Sequence, residues 1–179
     1  METLDRVTRV IDAISIWSGR AIAWLILPMI LLLAGEVIVR HLYAPTIWAL
    51  DLAMIFYGTH YFIAGALALY AGKHVRTDFL YDRWSLKTQA WVDLLCYVLL
   101  FLPGMVMFVW LSWDFAAESW ELKERMMTSW RPPAYWYKSV IPLAGALLLL
   151  QGVSELLKAV KTIVTGQDVR HHEKQSEIT

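Results

Sequence analysis

The sequence predicts an all-α integral membrane protein, a four-helix bundle preceded by an amphipathic interfacial N-terminal helix. Of its 179 residues, 58% are hydrophobic and only 18% are charged, which is too apolar for an ordinary soluble domain of this length. The apolar residues also form four long runs, each able to cross about 30 Å of hydrocarbon as a helix. Strands of a membrane barrel would instead alternate apolar and polar residues, so helices are predicted.

The first 20 residues predict an amphipathic helix in the inner membrane interface. Apolar residues recur there at helical spacing, opposite a charged face that includes Asp5 and Asp12. The apolar stripe consists of Leu4, Val7, Val10, Ile11, Ile14 and Trp17. A helix lying in the interface would bury this stripe in lipid and keep its charged face out of it. We therefore interpret 1–20 as an interfacial helix and not as a cleaved signal peptide.

The four apolar runs define a membrane domain over residues 21–157. We place the spans at about 21–39, 47–71, 90–113 and 139–157. Most ionisable residues in these spans lie near their ends, and His60 is the only one near mid-depth. Residues 158–179 are predicted to form a cytoplasmic tail, the polar end of which we expect to be disordered.

The distribution of positive charge predicts the orientation of the spans. With four spans, eleven Lys and Arg residues lie on the side that holds both termini, and five lie on the other side. Lys and Arg near span ends are retained in the cytoplasm. Both termini are therefore expected to be cytoplasmic.

Charge and motif content exclude several classes of protein. The 16 Lys and Arg residues balance 16 Asp and Glu residues, so there is no basic excess of the kind a nucleic-acid-binding face requires. The single cysteine, Cys96, excludes a disulfide framework and a Cys-based metal site. No phosphate-binding loop, nucleophile motif or metalloprotease motif is present. We expect no catalytic residue, metal site or cofactor in this chain, and no enzyme activity.

Two groups of ionisable residues leave alternatives open. Glu36, Arg40 and Asp51 should meet at the outer face across the short 40–46 turn, with Arg40 between the carboxylates, either as a structural ion cluster or as a contact for a partner or substrate. His60 is interpreted as a hydrogen-bonded histidine at a helix contact. Haem ligation is the competing interpretation, but no second histidine lies at the same depth on another helix.

The small residues and prolines in the spans indicate sites of helix packing and not a transport site. Gly58 and Gly65 in the second span, and Gly145 in the fourth, let other helices approach closely, either within the bundle or from a larger membrane partner. Pro103-Gly104 is the best candidate for a broken span. A packing kink is the preferred interpretation, because no acidic residue, inverted repeat or paired half-helix accompanies it.

The outer connection, 114–138, is the most distinctive segment. Glu118 and Glu121, together with the charged residues 123–125, have the spacing of a solvated helical extension of the third span. Arg131, Pro132 and Pro133 should end that helix and form a rigid turn into the fourth span. The segment is either a charged cap with an aromatic anchor or a docking face for a periplasmic protein.

These features together resemble the small membrane subunit of tripartite ATP-independent periplasmic (TRAP) transporters, the DctQ-like family. The resemblance rests on four spans in about 180 residues, on GKHVRTD at 72–78 followed by FLYDR at 79–83, and on SWRPP at 129–133. It covers nearly the whole chain.

The resemblance implies a role in transport. In that family a periplasmic binding protein captures a small organic acid or related solute, and a large subunit moves it across the membrane by an elevator-like motion driven by a sodium gradient. The small subunit would be a non-catalytic scaffold in the inner (plasma) membrane of a bacterial or archaeal cell. Its partners would be the large subunit, the binding protein and membrane lipids, and Na⁺ would bind the large subunit.

Several residues become candidate partner contacts on this basis. His74, Val75 and Asp78 match the family's inner-loop motif and are expected to order that loop against the membrane or the large subunit. In the outer connection, the residues that match the family are the arginine and the double proline, Arg131, Pro132 and Pro133. Glu118 and Glu121 are candidate contacts for the binding protein from their charge and their side of the membrane alone.

Two other functions compete with the scaffold. A membrane anchor of a haem or quinone oxidoreductase would absorb in the Soret band after purification. An autonomous four-helix carrier would take up its solute without another subunit.

Overall fold

A computed structural model describes residues 2–72 and 84–167, and these residues form an all-α bundle. The helices are α1 (Glu2–Ala23), α2 (Ile26–Leu42), α3 (Ala49–Tyr70), α4 (Leu86–Cys96), α5 (Leu102–Glu121), α6 (Ala134–Lys138) and α7 (Val140–Thr165). A π-helical turn, Tyr97–Phe101, joins α4 to α5. Four helical segments, 2–42, 49–70, 86–121 and 134–165, are long and apolar enough to cross a membrane. The predicted all-α class of membrane helical bundle is therefore confirmed, and the interfacial position of the first helix stays a prediction.

The last long helix, α7, is the centre of the bundle and contacts α1, α3, α4 and α5. Its buried residues are mostly small or polar, which lets its neighbours come close. The ring of Phe101 packs on Gly152, and Phe108 packs on Gly145. A methyl group at position 152 would lie 1.9 Å from the Phe101 ring, so this contact requires glycine.

The third helix is held by a second pair of glycine contacts. The Tyr137 hydroxyl lies against Gly58, and the Leu67 side chain lies against Gly19 of α1. Gly65, in contrast, has no atom within 4 Å of the position a methyl group would take. Two of the predicted small positions, Gly58 and Gly145, thus serve contacts within the bundle.

Prolines account for the irregularities in the first and third spans. Pro28 lacks an N–H group, and its ring would clash with the carbonyl of Trp24. The helix is interrupted at that point, between the end of α1 at Ala23 and the start of α2 at Ile26. Pro103 follows the π-helical turn, in which the N–H of Leu102 donates to the carbonyl of Tyr97. The third span therefore continues through its proline without a break.

The first helix runs antiparallel to both α3 and α7. Asp5 contacts Lys161, and Gly19 lies on Leu67, so α1 packs along the bundle over most of its length. We call the end of the bundle that holds the start of α1 and the end of α7 the terminal end. The opposite end, which holds residues 43–48 and 122–133, is the loop end.

The two faces of α1 are divided as the sequence predicts, but they point differently. The apolar residues Leu4, Val7, Val10, Ile14 and Trp17 are exposed on the bundle surface, available to lipid. We expected the polar face to point away into solvent, but part of it is buried against the bundle. Thr8, Asp12 and Ser15 are buried, and Asp12 accepts hydrogen bonds from Gln151 and Ser154 of α7.

Candidate functional sites

A cluster of buried charged and polar side chains joins α1 to α7. The ammonium group of Lys158 lies 2.5 Å from a carboxylate oxygen of Asp12 and 3.2 Å from one of Glu155. All three residues are at most 5% exposed. Gln151 donates to both carboxylates through its amide nitrogen, at 3.0 and 3.2 Å, and the Ser154 hydroxyl donates to Asp12 at 2.8 Å. We call these five residues the buried charge cluster.

Tyr70 closes the buried charge cluster from the side of α3. The Lys158 ammonium lies 5.1 Å from the centre of its ring, within the range of a cation–π contact. Next to it, a cavity of about 360 Å³ opens along α1. Its lining is Arg9, Asp12, Ala13, Ile16, Trp17, Arg20 and Tyr70.

Sequence reasoning missed this cluster. The predicted fourth span ends at 157 and the predicted tail begins at 158, but α7 continues to Thr165 and places both Glu155 and Lys158 inside the bundle. A signal was available in the fourth span. Gln151, Ser154, Glu155 and Lys158 follow the spacing i, i+3, i+4 and i+7, which puts four polar side chains on one face of an apolar helix.

His60, the only ionisable residue predicted near mid-depth, is used to join two helices. Its Nδ1 lies 3.1 Å from the carbonyl oxygen of Ile22 and must donate to it, because a carbonyl only accepts. Ile22 lies at the end of α1, where the chain is interrupted before α2. The interpretation of His60 as a hydrogen-bonded histidine at a helix contact agrees with this geometry.

At the loop end, the structure pairs two of the three residues of the predicted outer-face ion cluster and gives the third another partner. Arg40 and Glu36 form an ion pair at 3.4 Å, and Glu36 also accepts hydrogen bonds from the hydroxyl and the N–H of Thr46. Asp51 instead accepts a 2.5 Å hydrogen bond from Thr128 of the outer connection. Within residues 2–72 and 84–167, Arg40 thus pairs with one carboxylate and not with two.

The outer connection folds as a short hairpin after α5 ends. Arg125 and Pro133 form an isolated β-bridge, and the N–H of Met126 donates to the carbonyl of Pro132. Lys123 and Arg131 adopt left-handed backbone conformations, with φ of 46° and 52°. The predicted helical extension is confirmed as far as Glu121, but residues 123–125 lie in the hairpin. The left-handed conformation of Lys123 is incompatible with a continuing helix.

An ion pair fastens this hairpin to α6, and an aromatic group joins the end of α5 to α6 and the residue that follows it. Lys138 donates a short hydrogen bond to Glu124, which holds the pKa of that carboxyl below its ordinary value, and a hydrogen bond from Ser119 acts in the same direction. The Trp120 indole donates to the Ser139 hydroxyl at 2.7 Å, and its ring packs against Tyr135. The cap-and-anchor interpretation therefore describes the base of the connection.

The candidate contact residues of the outer connection differ in exposure. Glu118, Glu121 and Arg131 are exposed, Pro133 is half-buried, and Pro132 is buried. Arg131 and the prolines lie in the hairpin, while both glutamates lie on the last turns of α5. Met127, at the hairpin tip, is fully exposed. A surface for another protein at this end would thus consist of the hairpin tip and the end of α5.

The inner-loop residues His74, Val75 and Asp78 lie outside the described residues, so their predicted role as partner contacts stays a prediction.

One comparison with known proteins finds a match. A family model described as "Tripartite ATP-independent periplasmic transporters, DctQ component" matches residues 29–162. No curated protein matches the chain. The matched range begins in α2 and ends in α7, so it includes Lys158 and the outer connection and leaves out α1.

Proposed function

The chain belongs to the DctQ component family of tripartite ATP-independent periplasmic transporters, and from this premise we propose that it is the scaffold subunit of a sodium-coupled importer. It is a small membrane component of a transporter and not an enzyme. In our proposal a large membrane subunit carries the solute, a small organic acid or related compound, by an elevator-like motion and binds the Na⁺. A periplasmic binding protein delivers the solute.

One observation carries the scaffold role: the buried charged groups of the bundle pair with one another. A transport site needs polar or ionisable groups near mid-depth that can reach a substrate or ion. His60 lies at that depth, and its Nδ1 is engaged by the Ile22 carbonyl. Lys158 pairs with both Asp12 and Glu155 in the buried charge cluster. This arrangement supports a rigid body against which another subunit can move.

We further propose that the terminal end faces the cytoplasm of a bacterial or archaeal cell and that the loop end faces the periplasm. The excess of Lys and Arg on the terminal side supports this orientation. The hairpin tip and the end of α5 would then form the docking surface for the binding protein. Their exposed charges, Arg131 on the hairpin and Glu118 and Glu121 on α5, offer both signs to a partner.

Gentle solubilisation of the tagged chain from its native membrane, followed by identification of what co-purifies, tests the proposal. We expect a large polytopic subunit. Vesicles containing both membrane subunits should take up solute only when the binding protein and an inward sodium gradient are supplied. Uptake by this chain alone, or purification with a Soret-absorbing haem, would contradict the scaffold role.

Orientation can be measured with a membrane-impermeant maleimide on cells whose outer membrane is permeabilised. In a Cys96→Ser background, Met127→Cys at the hairpin tip should be labelled, because that residue is fully exposed. The matched control is Lys87→Cys, exposed at the start of α4 near the terminal end, which should be labelled only after the inner membrane is opened. The reverse pattern would overturn the orientation.

A charge reversal tests the docking surface. Arg131→Glu should weaken binding of the binding protein to the reconstituted complex by about two- to fivefold, the effect of one exposed charge pair. Slower association at low salt should account for most of the change. Lys87→Glu, at the other end of the bundle, is the control and should change nothing. Unchanged affinity and rate for Arg131→Glu would remove Arg131 from the docking surface.

A further inference from the structure

The exposed residues of α3 form one continuous stripe along the helix. They are Leu50, Met54, Tyr57 and Tyr61, with exposed fractions of 62%, 47%, 60% and 66%. Their spacing of four, three and four residues places them on a single helical face. The rest of α3 contacts α1, α2 and α7, so this stripe is the face that the bundle leaves uncovered.

The two tyrosines of the stripe lie near the middle of the span. At 1.5 Å per residue, the 22 residues of α3 are about 33 Å long, and Tyr57 and Tyr61 lie about 12 Å and about 18 Å from its start. Their rings stack with centres 6.2 Å apart and planes inclined by 23°. Among residues 2–72 and 84–167, neither hydroxyl has a hydrogen-bond partner.

A tyrosine hydroxyl in this position is unfavourable if only lipid surrounds it. Tyrosines of membrane proteins concentrate at the membrane–water interfaces, where the hydroxyl reaches water or headgroups. Hydrocarbon chains offer neither donor nor acceptor, and an unpaired polar group in such a medium loses its hydrogen bonds to water without replacement. Other exposed faces of the bundle carry purely apolar side chains, such as Leu31 of α2 and Leu99 of the π-helical turn. Those faces suit lipid, and the tyrosine stripe does not.

We infer that a transmembrane helix of the large subunit packs on the stripe of α3 and hydrogen-bonds to the hydroxyls of Tyr57 and Tyr61. The inference rests on the proposed function, since it requires that subunit as a partner. The tyrosines are one helical turn apart, so two small polar residues or freed carbonyls at the same spacing on one partner helix can satisfy both. Met54, with its flexible side chain, fills irregular space in the contact.

A second copy of this chain fits the stripe less well than a different helix. Copies inserted in the same orientation would set each tyrosine against its own counterpart at the same depth. Two bulky rings at one contact hold the helices apart, whereas membrane helices that pack closely have small residues at the contact. A partner helix with small polar residues meets both the hydrogen-bonding and the steric requirement.

Site-specific photo-crosslinking in the complete co-expressed complex tests the inference. A benzophenone amino acid replaces Tyr61 in one sample and Leu99, which is 65% exposed on another face, in the control. We expect position 61 to crosslink to the large subunit and position 99 to crosslink to it at least about tenfold less. Crosslinks to the large subunit from position 99 alone, or from position 61 to a second copy, would overturn the inference.

Removal of the hydroxyls alone provides a second measurement. Tyr57→Phe and Tyr61→Phe keep both rings, and each should lower the affinity of the large subunit by about threefold, the typical effect of one hydrogen bond between membrane helices. Tyr43→Phe, at an exposed position of the loop end, is the matched control and should have no effect. Full affinity in the double variant would show that the two hydroxyls do not hydrogen-bond to the large subunit.

The outcomes separate this inference from the proposed function. If the large subunit co-purifies but crosslinks from another face, the scaffold role stands and the contact on α3 is wrong. If no large subunit co-purifies, both fall.

Discussion

Replacement of the cation in the buried charge cluster should cost far more stability than replacement of an exposed one. Lys158 is 3% exposed and lies 2.5 Å from Asp12 and 3.2 Å from Glu155. At an effective dielectric constant of about 20, Coulomb's law gives gross attractions of about 7 and about 5 kcal/mol for the two contacts. The cost of removing the charges from water offsets most of this. Lys158→Met, which leaves two buried carboxylates without that cation, should cost about 3–5 kcal/mol.

The free energy of unfolding can be measured by circular dichroism as SDS is added to dodecylmaltoside micelles of the purified chain. The control is Lys161→Met, since Lys161 pairs with Asp5 at 2.5 Å but both side chains are partly exposed. Water screens that pair, so Lys161→Met should lower the free energy of unfolding much less than Lys158→Met does. Adding Asp12→Asn to Lys158→Met should restore part of the stability, because one carboxylate is then neutral. Equal losses for the two lysine variants, or no recovery in the double variant, would refute the reasoning.

Gly152→Ala should destabilise the bundle by about 1–3 kcal/mol in the same assay, because the added methyl group meets the ring of Phe101. Gly65→Ala has open space around it and should be neutral or stabilising, so equal losses at both positions would contradict the packing argument. The pKa of Glu124 is lowered mainly by the hydrogen bond from Lys138. The stabilisation of the loop end by this pair should therefore be complete above about pH 4.3, the ordinary pKa of glutamate, and should disappear as the pH falls through the lowered pKa. Tryptophan fluorescence should follow this acid transition, and Glu124→Gln should reduce its pH dependence; an identical transition in the variant would exclude Glu124 as its cause.

Hydrophobicity and length were sufficient to predict the four membrane helices. A chain that crosses hydrocarbon must satisfy its own backbone hydrogen bonds, so a long apolar run has one available structure. The second run, predicted at 47–71, agrees closely with α3 at Ala49–Tyr70. The extension of the third span through Glu121 follows from the same local periodicity.

Contacts between distant segments were not predictable in this way. Asp12 and Gln151 are 139 positions apart, and nothing local to either residue indicates that they meet. The polar face of α7 is visible in the sequence, but its partner on α1 depends on how the helices pack. The hairpin at the loop end was not predictable from the sequence for a different reason. Its left-handed positions are Lys123 and Arg131, whereas glycine is the residue that would have signalled such a conformation.

The polar contact between α1 and α7 also sets the order in which the helices of the bundle can pack during synthesis. A ribosome makes Asp12 long before it makes Ser154 and Lys158, so the nascent first helix carries a carboxylate whose cation does not yet exist. Until α7 has been inserted, that polar face must remain in contact with water, headgroups or the insertion machinery. The contacts of Asp12 with α7 can therefore form only after the last long helix has entered the membrane, and a chain stalled before Gln151 would leave α1 with its contacts to α3 but without those to α7.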